Sequence, residues 1–116
     1  MKEMIGYRIV EIKNGKVLSL FHATNGSRVL PFNVWIRANH KQVRDGSSSF
    51  TYKSGFHFFP DKESAEEFFD RRFRIKQNRK VVPCRVRGNI RIKNNNVIPT
   101  CLLADEIMFI DKEVLE

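Results

Sequence analysis

Cysteine is scarce in this chain, with only Cys84 and Cys101 among 116 residues. They form no Cys-x-x-Cys pair and sit in apolar surroundings (Val-Val-Pro-Cys and Pro-Thr-Cys-Leu-Leu), so neither a disulfide scaffold nor a thiolate zinc site is expected. Buried free thiols are expected, although a strand-to-strand disulfide is geometrically open. The histidines stand at no metal-ligand spacing, so no metal is expected. Glycine is also sparse: Gly26 and Gly46 stand alone, which excludes a Gly-rich phosphate loop after a strand. No apolar run approaches the roughly twenty residues of a membrane span. Met1 leads through Lys2 and Glu3 into an amphipathic run with no apolar signal core, so a cytoplasmic protein without a membrane partner is expected. The acids gather at one helix start and in the tail, where they suit capping and solubility better than paired acid–base work. A hydrolase is therefore not supported.

What is present is a 41% hydrophobic composition that includes ten phenylalanines. That is enough to bury one core, so a single domain over residues 1–116 is expected, packed largely by rigid rings. The formal net charge is +8, and its distribution is uneven. From Arg71 to Lys93 there are ten Lys or Arg residues and no acid, whereas residues 94–116 hold one Lys against five acids.

The order of elements follows from local pattern. Residues 6–13 and 16–22 flank Asn14-Gly15, the pairing that suits a type I′ turn, so a hairpin is expected there. Ala23-Thr24-Asn25-Gly26-Ser27-Arg28 and Asp45-Gly46-Ser47-Ser48-Ser49 carry turn and loop chemistry. Phe32 to Ala38, around Trp35, fits a short strand or one helical turn equally well. Extended structure resumes from Phe50 to Lys53, and Gly55 suggests a bulge or a close backbone approach. Asp61 caps a helix whose Ala65, Phe68, Phe69 and Phe73 lie three and four apart, giving one apolar face, with the end expected near Ile75. From Val81 to Lys93, Val82, Cys84, Val86, Gly88, Ile90 and Ile92 alternate with Arg85, Arg87, Asn89, Arg91 and Lys93, the pattern of a half-buried strand. Gly88 suggests a bulge and Pro83 an edge position. Asn94-Asn95-Asn96 reads as a turn, and Val97 to Leu103 and Ile107 to Ile110 supply the last strands. The expected fold class is α+β: a mainly antiparallel, strongly twisted sheet with one principal helix packed on it.

The basic block is the sharpest functional signal. Arg85, Arg87, Arg91 and Lys93 on one strand face, joined by Arg71, Arg72, Arg74, Lys76, Arg79 and Lys80 from the helix end, form a surface that repels itself unless a polyanion or an acidic protein neutralises it. The alternative is a solvated face paired with Glu66, Glu67 or the acidic tail. Base stacking would need exposed aromatics among the cations, and Phe73 alone falls within the block, so sequence-specific reading is not expected.

A second constellation joins Phe21-His22-Ala23-Thr24 to Gly55-Phe56-His57-Phe58-Phe59. These segments resemble ADP-ribosyltransferase-like enzymes, including the tRNA 2′-phosphotransferase branch. Those enzymes place a His-Gly-Thr-like turn after an early strand and a second His or aromatic in a Gly-rich strand before a helix. Here Ala23 stands where the glycine is usual. The resemblance implies catalytic roles for His22 and His57 with Glu106 in a third position, and NAD or another nucleotide as cofactor. The implied pocket would draw on His22, Thr24, Asn25, Ser27, Arg28, Trp35, Tyr52 and His57. An imidazole can hydrogen-bond a ribose hydroxyl or a phosphate, and Thr24 and Ser27 add donors. The alternative is that both histidines are satisfied core or boundary residues.

Across most of the chain, Ser19 to Arg28, Trp35, Asp45-Gly46-Ser47, Ser54-Gly55-Phe56-His57 and Leu103-Ala104-Asp105-Glu106 together resemble a group of small proteins from bacteriophages and prophages. That resemblance implies an accessory protein in the cytoplasm of a bacterial host. The expected function is a non-catalytic binding module without cofactor, holding nucleic acid, nucleoprotein or an acidic host protein through the basic strand and helix end. The alternative is the nucleotide-handling enzyme centred on His22 and His57.

Overall fold

The computed structural model describes residues 3–20, 29–38, 42–44, 51–53, 55–74, 76–93 and 99–115, with 42–44 and 51–53 as backbone. The loops expected at 23–28 and 45–49 and the turn at 94–96 lie outside them. The first strand, β1 (Glu3–Lys13), turns at Asn14 (φ 52°) and Gly15 (φ 72°) into β2 (Lys16–Leu18). Both turn residues take the left-handed conformation that Asn and Gly tolerate best, as the Asn-Gly pair implies. β2 pairs with β3 (Val29–Leu30). The long ladder of the fold joins β1 to β8 (Arg79–Arg87), from Glu3 opposite Arg87 to Glu11 opposite Arg79. β8 in turn pairs with β11 (Glu106–Met108), and β11 with β4 (Ile36–Arg37). The strand order is β3-β2-β1-β8-β11-β4, antiparallel throughout.

A second sheet, β7-β10-β9, comprises β7 (Phe56–Phe58), β10 (Leu102–Ala104) and β9 (Arg91–Ile92). β5 (Gln42–Arg44) and β6 (Thr51–Lys53) pair separately. With one main helix, α1 (Lys62–Arg72), and a short α2 (Asp111–Leu115), the architecture is α+β.

The two sheets share a corner. β8 runs through Gly88 (φ 97°) into β9, while β10 runs through Asp105 into β11. A side chain at Gly88 would collide with Asp105, so the two crossings touch. Asp105 Oδ2 accepts from the Asn89 N–H at 2.8 Å, and the Asp105 carbonyl accepts from the Ala38 N–H at 2.9 Å. At the far side, reciprocal backbone bonds between Tyr7 and Phe59, 2.8 and 2.9 Å, close the second sheet onto β1.

Between the sheets lie Val10, Val82, Cys84, Val86, Phe58, Ala104, Ile107 and Phe109, all fully buried. Burying each large apolar side chain contributes roughly 1.5–3 kcal/mol. A methyl at Gly6 would strike the Phe58 ring, so glycine here permits a close ring-on-strand contact. The opposite face of β1 and β8 presents Ile9 and Val81 to Ala65, with Phe68, Phe69 and Phe73 packed around them. The apolar stripe of the helix thus meets the sheet as its spacing predicts.

Several details depart from expectation. α1 stops at Arg72 because Phe73 is extended (φ −109°, ψ 115°), its N–H closing onto the Phe69 carbonyl at 3.1 Å. Pro83 lies in a central strand, but β11 pairs only with Arg85 to Arg87 and α2 replaces it beyond, so the missing N–H breaks no ladder there. Residues 32–38 give the short strand β4, and 111–115, unassigned from sequence, form α2.

Candidate polyanion interface

β8 does not present the uniform cationic face that its alternation suggests. Arg85 and Arg87 share a face, but the positive φ at Gly88 reorients the chain. Ile92 is 54% exposed, while the Arg91 side chain retains 18% exposure. Ile90 still packs on the core as its parity implies, but the parity assigned to Arg91, Ile92 and Lys93 from sequence is corrected, because the two-residue period does not survive the left-handed glycine.

These strand cations also meet acids. Arg85 Nη2 lies 2.9 Å from Glu113 Oε2 on α2. Arg87 grips Glu106 with two bonds, Nε to Oε2 at 3.1 Å and Nη2 to Oε1 at 3.2 Å, and the Trp35 ring lies over its guanidinium at 3.9 Å. Arg87 and Glu106 are 29% and 11% exposed, and this hydrogen-bonded partner holds the carboxyl pKa below its ordinary value, with the Arg37 charge adding to the effect. Arg91 Nη1 binds Asp105 Oδ1 at 2.8 Å and the Asn89 carbonyl at 2.7 Å. Lys80 Nζ donates to the Val114 carbonyl at 3.2 Å, and Lys93 is half-buried with its N–H on the Cys101 carbonyl at 3.0 Å. The pairing with the acidic tail, the alternative weighed from sequence, accounts for Arg85, Arg87 and Arg91.

The helix end is different. Asp61 accepts from the Ser64 N–H at 2.7 Å and fixes the start of α1, which carries Arg71 and Arg72 to its last turn. Three cations there lie over three half-buried rings: Arg72 over Phe68 (5.8 Å), Lys76 over Phe69 (5.3 Å) and Arg79 over Phe73 (5.3 Å). The rings brace one another, with Phe69 and Phe73 edge-on at 5.3 Å and Phe68 against Phe59 at 5.1 Å. Arg71 pairs with Glu67 at 2.8 Å and Lys76 with Asp70 at 2.6 Å, both across exposed surface, and Arg74 is exposed beside them. Such exposed pairs exchange readily for another anion because each is worth little, about 0–1 kcal/mol. Sequence reasoning treated Phe73 as the only ring in the basic block and missed Phe68 and Phe69; the four-residue spacing of Phe68 and Arg72 was legible on a helical wheel, whereas Lys76 reaches Phe69 from beyond the helix end.

The second constellation is not assembled among the described residues. His22, Thr24, Asn25, Ser27 and Arg28 lie outside them, and Tyr52 is described as backbone only. His57 is half-buried in β7 opposite Leu103 and already engaged by a neighbour. Glu106 is held by Arg87 on the other sheet, and Trp35 lies over that same arginine. Gly55 makes the close approach its position implied, beside the Arg91 guanidinium and the Ala104 carbonyl. Both thiols are free, Cys84 pushed up to about 12 and Cys101 to about 11 by burial. Among the described residues no group of His, Cys, Asp and Glu could hold a metal ion, and no helix is long and apolar enough to cross a membrane. No protein-family model, curated protein or solved structure matches the chain.

Proposed function

We propose that this chain is a non-catalytic binding module that grips a polyanionic partner, nucleic acid before nucleoprotein or an acidic protein, through the C-terminal end of α1 and the start of β8. The observation that carries this is the set of cations held over rings: Arg72, Lys76 and Arg79 on Phe68, Phe69 and Phe73, with Arg71 and Arg74 alongside. The rings restrain the cations, so less side-chain freedom is lost when phosphates dock. In this reading the chain is a phage-type accessory protein acting in the cytoplasm of a bacterial host, as the resemblance implies.

The test is the salt dependence of binding to single-stranded RNA and duplex DNA, followed by fluorescence anisotropy. Four phosphate contacts on duplex DNA would cost about a hundredfold in affinity between 50 and 200 mM salt. Arg72→Glu with Lys76→Glu is expected to flatten that slope by about two contacts, while Arg85→Gln with Arg87→Gln leaves it unchanged. An unaltered slope in a folded Arg72→Glu/Lys76→Glu protein would refute the assignment.

A further inference from the structure

Arg8 is a cation aimed at the interior. It shares the inner face of β1 with Gly6 and Val10, both buried, and stands opposite Val82, which is fully buried. Its guanidinium carbon lies 5.5 Å from the centre of the Phe56 ring, and Nη1 donates to the His57 carbonyl at 3.1 Å. Among the described residues it meets no carboxylate. Arg85, Arg87 and Arg91, by contrast, each bind one.

Desolvated charges in folded proteins are ordinarily paired, because leaving one unpaired is costly. The titratable groups whose charges reach Arg8 are the thiols of Cys84 and Cys101. Burial raises both, so they are neutral and supply no counter-charge. Burial also holds the Arg8 pKa below its ordinary value. A guanidinium offers five N–H donors in a planar fork shaped for an oxyanion, and only one bond here goes to protein. The residue is half-buried, and none of its nitrogens is both enclosed and unpartnered. The remaining donors are therefore not sealed from solvent. The charges of Lys93 and Arg8 both reach the Cys101 thiol.

We propose that Arg8 anchors a binding site for the oxyanion group of a small ligand, a phosphate or a carboxylate, at the seam between β1 and β7. The site is separate from the helix-end patch. It uses the backbone of His57 rather than its imidazole, so it requires neither histidine to act chemically.

The experiment compares thermal unfolding in inorganic phosphate, AMP and acetate with sodium chloride at matched ionic strength. At ligand concentrations about tenfold above Kd, the midpoint is expected to rise by roughly 5 °C or more. A rise with phosphate and AMP assigns a phosphate ligand; a rise with acetate alone assigns a carboxylate. Arg8→Met abolishes the rise, and Arg8→Lys, which keeps the charge but loses the fork, reduces it severalfold. If Arg8→Met does not fold, Arg8→Lys decides. The proposal fails if none of the three anions exceeds chloride in the unsubstituted protein, or if Arg8→Lys responds as fully as Arg8 itself. Arg8→Met and Arg8→Lys leave polyanion binding at the helix end unchanged at a given salt concentration, so the two sites stand or fall separately.

Discussion

Arg72 and Arg87 belong to the same acid-free stretch and carry the same side chain. Arg72 lies over a phenyl ring at the surface of α1; Arg87 is clamped between a carboxylate and an indole on the sheet. The difference comes from segments distant in sequence. β11 and α2 return the acidic tail to β8 and deliver Glu106 and Glu113 to its arginines. Among the described residues, Arg71 and Lys76 at the helix end pair with acids of α1 itself, Glu67 and Asp70, across open surface. A run of like charges therefore says little about a surface until the counter-charges that the fold returns to it are placed.

That contrast has measurable consequences. The largest is expected at Arg87→Ala, which strands Glu106 and uncovers Trp35; urea unfolding should show a loss of about 2 kcal/mol. A loss under about 0.5 kcal/mol would erase the distinction between the two groups. A smaller effect is expected from pH. The folded-state pKa of Glu106 lies below its ordinary 4.5, so its stabilising contribution is complete above the unfolded pKa and is lost as pH falls through the folded one. The stability gap between the unsubstituted protein and Arg87→Ala should accordingly be full at neutral pH and narrow on acidification below about 4.5. A gap that stays constant into acid would mean that packing against Trp35, not the ion pair, holds Arg87. The smallest change is expected at Arg71→Ala. Its pair with Glu67 is 63% and 45% exposed, so stability should move by no more than about 0.5 kcal/mol while RNA affinity falls.

What was legible in the sequence was local. Asn14-Gly15, the Asp61 cap and the 65/68/69/73 spacing each specify their geometry within a few residues, and all three stand in the fold. The alternation was legible through β8 and Ile90 and misleading from Arg91 to Lys93, because the chain turns at Gly88, where Asp105, distant in sequence, packs against the glycine. α2 escaped notice because Asp111 and Glu113 looked like part of a solubilising tail; on the structure they lie in the first turn of a helix whose Val114 is buried. The inward setting of Arg8 was hidden for a related reason. In the alternating run Gly6-Tyr7-Arg8-Ile9-Val10, nothing local shows that the second sheet folds over the face carrying the arginine.

The shared corner at Gly88 and Asp105 also constrains the order of assembly. β1 is made well before its main partner, Arg79–Arg87, and the second sheet needs residues 91–92 and 102–104 in place before it can complete. Such non-local pairing favours slow folding, since chain closure must precede the contacts that reward it. On the ribosome the hairpin of β1 and β2 would therefore wait, with the unfilled edge of β1 exposed, until β8 has emerged. Its Asn-Gly turn and its flanking Lys13 and Lys16 are the features that keep a waiting strand pair in register and discourage it from pairing with a neighbour.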